Sequence, residues 1–309
     1  MELRICPFTP CDFPGVMDVL SASFPEEMDF WGITQTQAEG LLFFYRLATV
    51  LQKLTGPRFK FFVAKLGEEV VGTAMIERRK NFAYLEAVAV HPEHRGKGYA
   101  RALVSRAIEE AFSWGPDRVV LRVREDNFPA KNLYLSLGFV PFERIATLVW
   151  EEGNPGPLAP LPSGYRLVRV GENGPRVDEL LEKTREPKAR EVYGPPERPS
   201  ILLRVLSVMF GGTEERALVV KGRAPVGIYY LGKRTSSAVR VRVEILPEFQ
   251  GQGLEESLLS RAVHQAQSLR RKAVLQASTE RDELIKAALK VGFQKAFVEE
   301  SMVLFRGKR

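Results

Sequence analysis

Apolar positions along the chain change period in a regular order. Residues 84–90, Tyr-Leu-Glu-Ala-Val-Ala-Val, read as a strand, and period-two alternation sets Tyr84, Glu86, Val88 and Val90 on one face. After a glycine-bearing loop, apolar residues fall at Ala100, Leu103, Val104, Ala107, Ile108 and Ala111, one face of a helix. Gly115-Pro116 stops that helix, because glycine accepts a left-handed terminus and proline forbids continuation. Upstream the pattern predicts a strand at 3–6, helices near 12–23 and 35–54, and strands 59–66 and 70–77 meeting at Gly67. Downstream it predicts a strand at 118–123, a short helix and a last strand at 140–150.

The order then repeats. Leu103-Val-Ser-Arg-Ala-Ile108 recurs as Leu258-Leu-Ser-Arg-Ala-Val263, an offset of 155 residues. The same offset carries Pro92-Glu93 onto Pro247-Glu248, and Gly96 and Gly98 onto Gly251 and Gly253. One residue is lost later, so Gly138-Phe139 answers to Gly292-Phe293. The second copy reads as strands at 165–170, 217–221, 226–231, 273–276 and 294–305, with helices at 176–184 and 200–210. Residues 151–163 are rich in proline and glycine and read as a linker. The expected organisation is a domain at 1–150, a linker at 151–163 and a second domain at 164–309, each α/β with a mixed sheet.

Composition narrows the class. The chain has 309 residues, 45% of them apolar, and no run approaches the roughly 20 apolar residues that span a bilayer. With no secretory leader pattern and only Cys6 and Cys11, a cytoplasmic, thiol-bearing protein is expected, away from membranes. Three histidines, His91, His94 and His264, without a Cys-x-x-Cys pair argue against a bound metal. Residues 1–150 hold 18 basic and 18 acidic side chains, so the net charge of +7 resides in 151–309. No basic cluster there is interleaved with stacking aromatics, so a solvated surface is the expectation and nucleic acid is not the expected partner.

The loop after the 84–90 strand carries the chemistry. Gly96 and Gly98 let backbone approach a ligand, and the helix start offers unpaired N–H groups at a positive dipole end. That assembly binds phosphate. Its spacing, Arg95-x-x-Gly98-x-Ala100, is neither a Walker loop nor the dinucleotide fingerprint. It resembles the pyrophosphate loop Arg/Gln-x-x-Gly-x-Gly/Ala of the GNAT superfamily of acyl-CoA-dependent N-acyltransferases. Residues 127–139 follow Asn-x-x-Ala-x-x-Leu-Tyr-x-x-x-Gly-Phe, closely similar to a late motif of that superfamily. The likeness is strong over 60–142, weaker over 216–305, and implies two tandem GNAT folds.

The resemblance implies acetyl-CoA as co-substrate, gripped by Arg95, Gly96, Lys97, Gly98, Tyr99, Ala100 and Arg101, with Val88, Val90 and Asn127 along its arm. For the Lys97 and Arg101 side chains a solvated-surface role is equally open, and Asn127 either touches the arm or fixes the loop. It implies that the Val88 amide points at the thioester oxygen, that Glu86 draws a proton from the amine, and that Tyr134 is the general acid at the departing sulfur. The acceptor is expected to be a small-molecule or peptide amine. An acidic and aromatic lip, Phe24-Pro-Glu-Glu-Met-Asp-Phe-Trp31, would favour a cationic one.

By the 155-residue offset Glu86 falls on Val241 and Ala100 on Glu255, which sets a carboxylate against the pyrophosphate, and past the lost residue Tyr134 falls on Ala288. Arg240, Arg242 and Glu244 then stand for Leu85, Ala87 and Ala89. A tandem protein with one degenerate copy resembles the double GNAT proteins of the mycothiol-synthase type. Here the better-kept copy is the first, so that particular activity is not carried over. The expected function is N-acetyl (or short acyl) transfer by direct attack in a ternary complex. Two alternatives remain: a non-catalytic acyl-CoA sensor, and an acyltransferase whose protein acceptor is recruited by the basic half.

Overall fold

The computed structural model describes residues 2–25, 59–170, 175–195, 213–233 and 238–307. The helices expected over 35–54 and 200–210 lie outside the described residues. In the first half the elements are β1 (Leu3–Pro7), α1 (Phe13–Ser23), β2 (Phe59–Leu66), β3 (Glu69–Arg78) and β4 (Ala83–Val90). They continue with α2 (Tyr99–Ser113), β5 (Arg118–Arg124), α3 (Phe128–Ser136) and β6 (Val140–Trp150). The second half holds β7 (Tyr165–Arg169), α4 (Pro175–Thr184), α5 (Pro187–Tyr193), β8 (Thr213–Lys221), β9 (Ala224–Lys233) and β10 (Ala238–Ile245). It closes with α6 (Leu254–Ser268), β11 (Lys272–Ser278), α7 (Asp282–Lys290) and β12 (Gln294–Phe305). No described helix is long and apolar enough to cross a membrane.

Two compact units result, one of Met1–Pro141 with Ser301–Arg309, the other of Phe142–Glu300. The first has strand order β1-β2-β3-β4-β5-β12. Its pairs are antiparallel from β1 to β4, and β4 runs parallel to β5. The second unit repeats the scheme as β7-β8-β9-β10-β11-β6. In the first unit the apolar face of α2 (Leu103, Val104, Ala107, Ala111) packs with Ile76, Leu85 and Leu121. Complete burial of each larger aliphatic chain contributes about 1.5–3 kcal/mol. Leu258, Leu259, Ala262, Val263 and Ala266 of α6 do the same in the second.

The units do not end at the sequence boundaries of 150 and 164. Strand β6 was expected to close the first domain, yet Ile145 to Trp150 pair antiparallel with β11 of the second unit. In return Met302 and Leu304 of β12 are buried in the first unit's core beside Leu103, Val119 and Phe139. The physical reason is degeneracy: both last strands have apolar alternating ends, and both duplicated sheets offer a similar edge, so pattern alone names no partner. Residues 151–163 are also more than a tether. The Ala159 N–H donates to Ser260 at 3.1 Å and the Ser257 hydroxyl to the Pro160 carbonyl at 2.5 Å, laying the segment on α6.

Candidate active site

Strand β4 follows β5 for three residue pairs only, Ala83↔Val119, Tyr84↔Val120 and Leu85↔Leu121, and then parts from it. At the same place its other edge is irregular. The register with β3 jumps from Met75↔Glu86 to Thr73↔Ala89, so Ala87 and Val88 together face Ala74. Ala87 has φ 51°, a left-handed conformation that costs a residue with a Cβ about 1–2 kcal/mol. The Thr73 hydroxyl, fully buried, donates to the Ala87 carbonyl at 2.8 Å.

This bulge corrects the simple alternation. Ala83, Leu85 and Val90 are buried in one core cluster, with Val88 packed against it. Val88 and Val90 therefore share a face with Leu85, whereas Tyr84 and Glu86 stand on the other. An extra residue on one strand shifts every later side chain across the sheet. Glu86 sits opposite Met75 and diagonal to Glu77. Burial, and then the negative charge of Glu77, push its carboxyl from 4.5 to about 7, against a smaller opposing pull from Arg79. A carboxylate in that range exchanges protons at neutral pH.

The loop after β4 turns on two glycines. Gly96 and Gly98 have φ 78° and 80°, and Gly98 is the N-cap of α2. A Cβ at either position would meet nothing within 4 Å, so the loop surface is free for a ligand to approach. The first hydrogen bond of α2 runs from Ala102 N to Gly98 O, so the preceding amides of the helix have no partner within it. Arg95 turns inward: its Nε donates to the Val90 carbonyl at 3.1 Å, which also accepts from Ser23 at 3.3 Å. Gln250 makes the same bond to Ile245 at 3.0 Å in the second unit, so this position ties loop to strand whether it holds Arg or Gln. Lys97 reaches the Glu93 carbonyl at 3.4 Å, and Arg101 the Ser136 hydroxyl at 2.7 Å. Tyr99 and Ala100 are half-buried against the core. His94 lies 3.3 Å from Glu69 and His91 3.8 Å from Asp18.

Tyr134 projects from α3 into the same cluster as Leu85 and Val90, edge-on to Phe139. Burial pushes its phenol to about 12, so it stays protonated at any ordinary pH and can donate a hydrogen bond. Asn127 caps α3, accepting from Ala130 N at 3.2 Å. Of the two roles open to it, the structure displays the fixing of the loop. Most of the acidic and aromatic lip of 24–31 lies outside the described residues.

The second unit keeps the left-handed loop glycines, Gly251 and Gly253, but differs at the strand and at the site side chains. Its register pairs Tyr230 with Arg242 and Val274 with Arg240, and β10 runs against β9 without a bulge. Matching both ladders makes Arg242, not Val241, the counterpart of Glu86, and Arg240 that of Tyr84. Loss of one residue in β10 displaces the constant offset by one there. Val239, Val241, Val243 and Ile245 are all buried, as strict alternation requires. Arg281, the counterpart of Asn127, donates to the Val243 carbonyl at 3.1 Å and pairs with buried Glu244 at 2.9 Å. Glu244 also meets Arg242 at 2.8 Å. The Glu255 carboxylate folds back onto its own loop, accepting the Gly251 N–H at 3.3 Å. Buried Ala288 stands for Tyr134. Sequence reasoning missed Thr73, the bulge and Arg281; only a comparison of registers exposes them.

Residues 18–139 match the model of the acetyltransferase (GNAT) family. The fold is similar to that of a tandem GNAT protein from the clavulanic acid biosynthesis pathway, at 17% identity and TM-score 0.66 over 100% of both chains. It is similar to a GCN5-related N-acetyltransferase from Sphaerobacter thermophilus at 18% identity and TM-score 0.66, covering 98% of this chain and 95% of that one. A glucosamine N-acetyltransferase region of a fungal multi-domain β-N-acetylglucosaminidase gives TM-score 0.65 at 13% identity, over 98% of this chain and 38% of that one.

Proposed function

We propose, from the match of residues 18–139 to the acetyltransferase (GNAT) family model, that the first unit alone moves an acetyl or short acyl group from acetyl-CoA to a primary amine. The observation that carries the proposal is Glu86, a carboxyl raised to about 7 on the strand that parts from its neighbour. Acetyl-CoA supplies the activated acyl group. Gly96, Gly98 and the first amides of α2 fit its pyrophosphate, because the glycines leave the backbone bare.

The chain's own residues then divide the work. The Val88 N–H donates to the thioester oxygen as negative charge develops there. Glu86, ionised above neutrality, takes the proton the amine must lose, directly or through a water. Tyr134, neutral to about pH 12, hands its proton to the departing sulfur and recovers one from solvent, to which Glu86 releases the proton it took from the amine. No covalent enzyme intermediate is needed, since the amine attacks directly.

The second unit is proposed to bind no cofactor. Glu255 already occupies a loop amide, and Arg281 and Glu244 fill the place beside Val243. The test is thiol release over a panel of cationic amines and peptides with acetyl-CoA and longer acyl-CoAs, alongside calorimetric stoichiometry. Amine-dependent release with one acetyl-CoA per chain is expected. Binding without release across the panel would leave a sensor, and two per chain would return the second unit to service.

A further inference from the structure

We infer that Thr73 is a positioning residue for acyl transfer: its hydroxyl sets the peptide whose N–H is aimed at the thioester. Glu86, Val88 and Tyr134 are singled out by the family resemblance, whereas Thr73 lies one strand away, fully buried, on β3. Its Oγ1 donates to the carbonyl of Ala87 at 2.8 Å. That carbonyl and the N–H of Val88 belong to one trans peptide, and they leave its plane in opposite directions. Fixing the oxygen fixes the hydrogen. Threonine suits the task because its β-branch restricts χ1, so the hydroxyl does not swing between partners. A donated hydrogen bond also polarises the amide and strengthens the N–H on its far side as a donor.

The same chain contains the control. Gly72 pairs with Val90 as Gly227 pairs with Ile245, so Thr73 corresponds to Ile228. Ile228 has no hydroxyl, and opposite it β10 runs without a bulge through Arg242, Val243 and Glu244. Among the described residues Ala87 and Arg270 are the non-glycine positions with positive φ, and Arg270 lies beyond the end of α6, outside β10. Hydroxyl and bulge are present together in one unit and absent together in the other. Thr73 also explains how Ala87 tolerates its conformation, because the bulged carbonyl would otherwise lack a ladder partner. Space alone does not hold the bulge: Gly72 next to Thr73, where a Cβ would come 2.9 Å from the Ala89 carbonyl, has its equal in Gly227.

This inference rests on the acyl-transfer reading for its kinetic arm, and its structural arm stands apart. Thr73→Val removes the hydroxyl and keeps the shape, and Thr73→Ser keeps the hydroxyl. In the full chain, Thr73→Val should hold acetyl-CoA affinity within about threefold while kcat falls about 10–100-fold, somewhat less than outright loss of an oxyanion donor. Thr73→Ser should regain most of that turnover. A crystal structure of Thr73→Val should show the 87–88 peptide rotated and Ala87 out of the left-handed region. If the valine variant does not fold, Thr73→Ala carries the same expectations. Wild-type kcat in Thr73→Val, an equal loss in Thr73→Ser, or an unmoved 87–88 peptide would each overturn the inference. If the wild-type chain releases no thiol with any amine, the acyl-transfer reading falls, and the peptide orientation alone decides the role of Thr73.

Discussion

Replacing Glu86 by glutamine should make the protein less active and more stable, and the two effects share one cause. Its carboxyl rises from 4.5 to about 7 because ionisation leaves a charge partly buried beside Glu77. The folded state therefore holds a proton that the unfolded chain releases between those values. Stability from this group is complete below about pH 4.5 and is lost as pH climbs through about 7. At about 1.4 kcal/mol per pH unit the loss is about 3 kcal/mol, which the carboxyl's partial exposure reduces to about 2 kcal/mol. Glutamine has no proton to lose. Calorimetric melting should find Glu86→Gln and the wild type alike near pH 5, with the variant about 5 °C higher near pH 8.5. Turnover should fall about 10²–10⁴-fold, and kcat/KM should lose its rise through about 7, keeping only the limb set by the amine itself. Equal melting at both pH values, or a variant that retains the limb near 7, would refute the assignment of that proton to Glu86.

Three other outcomes are expected. Tyr134→Phe should bind acetyl-CoA as tightly as the wild type but turn over about 10²-fold more slowly or worse, because the buried phenol matters only as the sulfur departs; unchanged turnover with chemistry rate-limiting removes it from the mechanism. Gly98→Glu should abolish calorimetric acetyl-CoA binding, since its φ of 80° strains any side chain and a carboxylate there opposes the pyrophosphate; wild-type affinity would disprove the phosphate loop. Ending the chain after Glu300 deletes Met302 and Leu304 from the first unit's core, at about 2–5 kcal/mol for each large side chain, so acetyl-CoA binding should weaken though the cut lies far outside 18–139. A truncated chain that binds and melts normally would show those residues to be dispensable.

Short stretches of consecutive residues determined a great deal by themselves. The helix of Leu103, Val104, Ala107 and Ala111, the loop Arg95–Ala100, the 127–139 motif and the 155-residue repeat were all legible, because each is written in local spacing. Glu86 and Tyr134 were singled out only by the family resemblance that those motifs carry. Their electrostatic settings were not legible, since burial and the proximity of Glu77 belong to the packed sheet.

Only the tertiary structure decided the rest. Period two assigns faces while every residue takes one place in the ladder, and the bulge at Ala87 and Val88 breaks that condition, moving Val88 and Val90 to the face opposite Glu86. The missing residue in β10 likewise made Arg242, rather than Val241, the counterpart of Glu86. The exchange of β6 and β12 between units could not be read from alternation, because duplicated sheets present alike edges to alike strands. Sequence spacing encodes which residues share a face; which strand lies beside which, and where a ladder slips, is settled by the backbone hydrogen bonds of the folded whole.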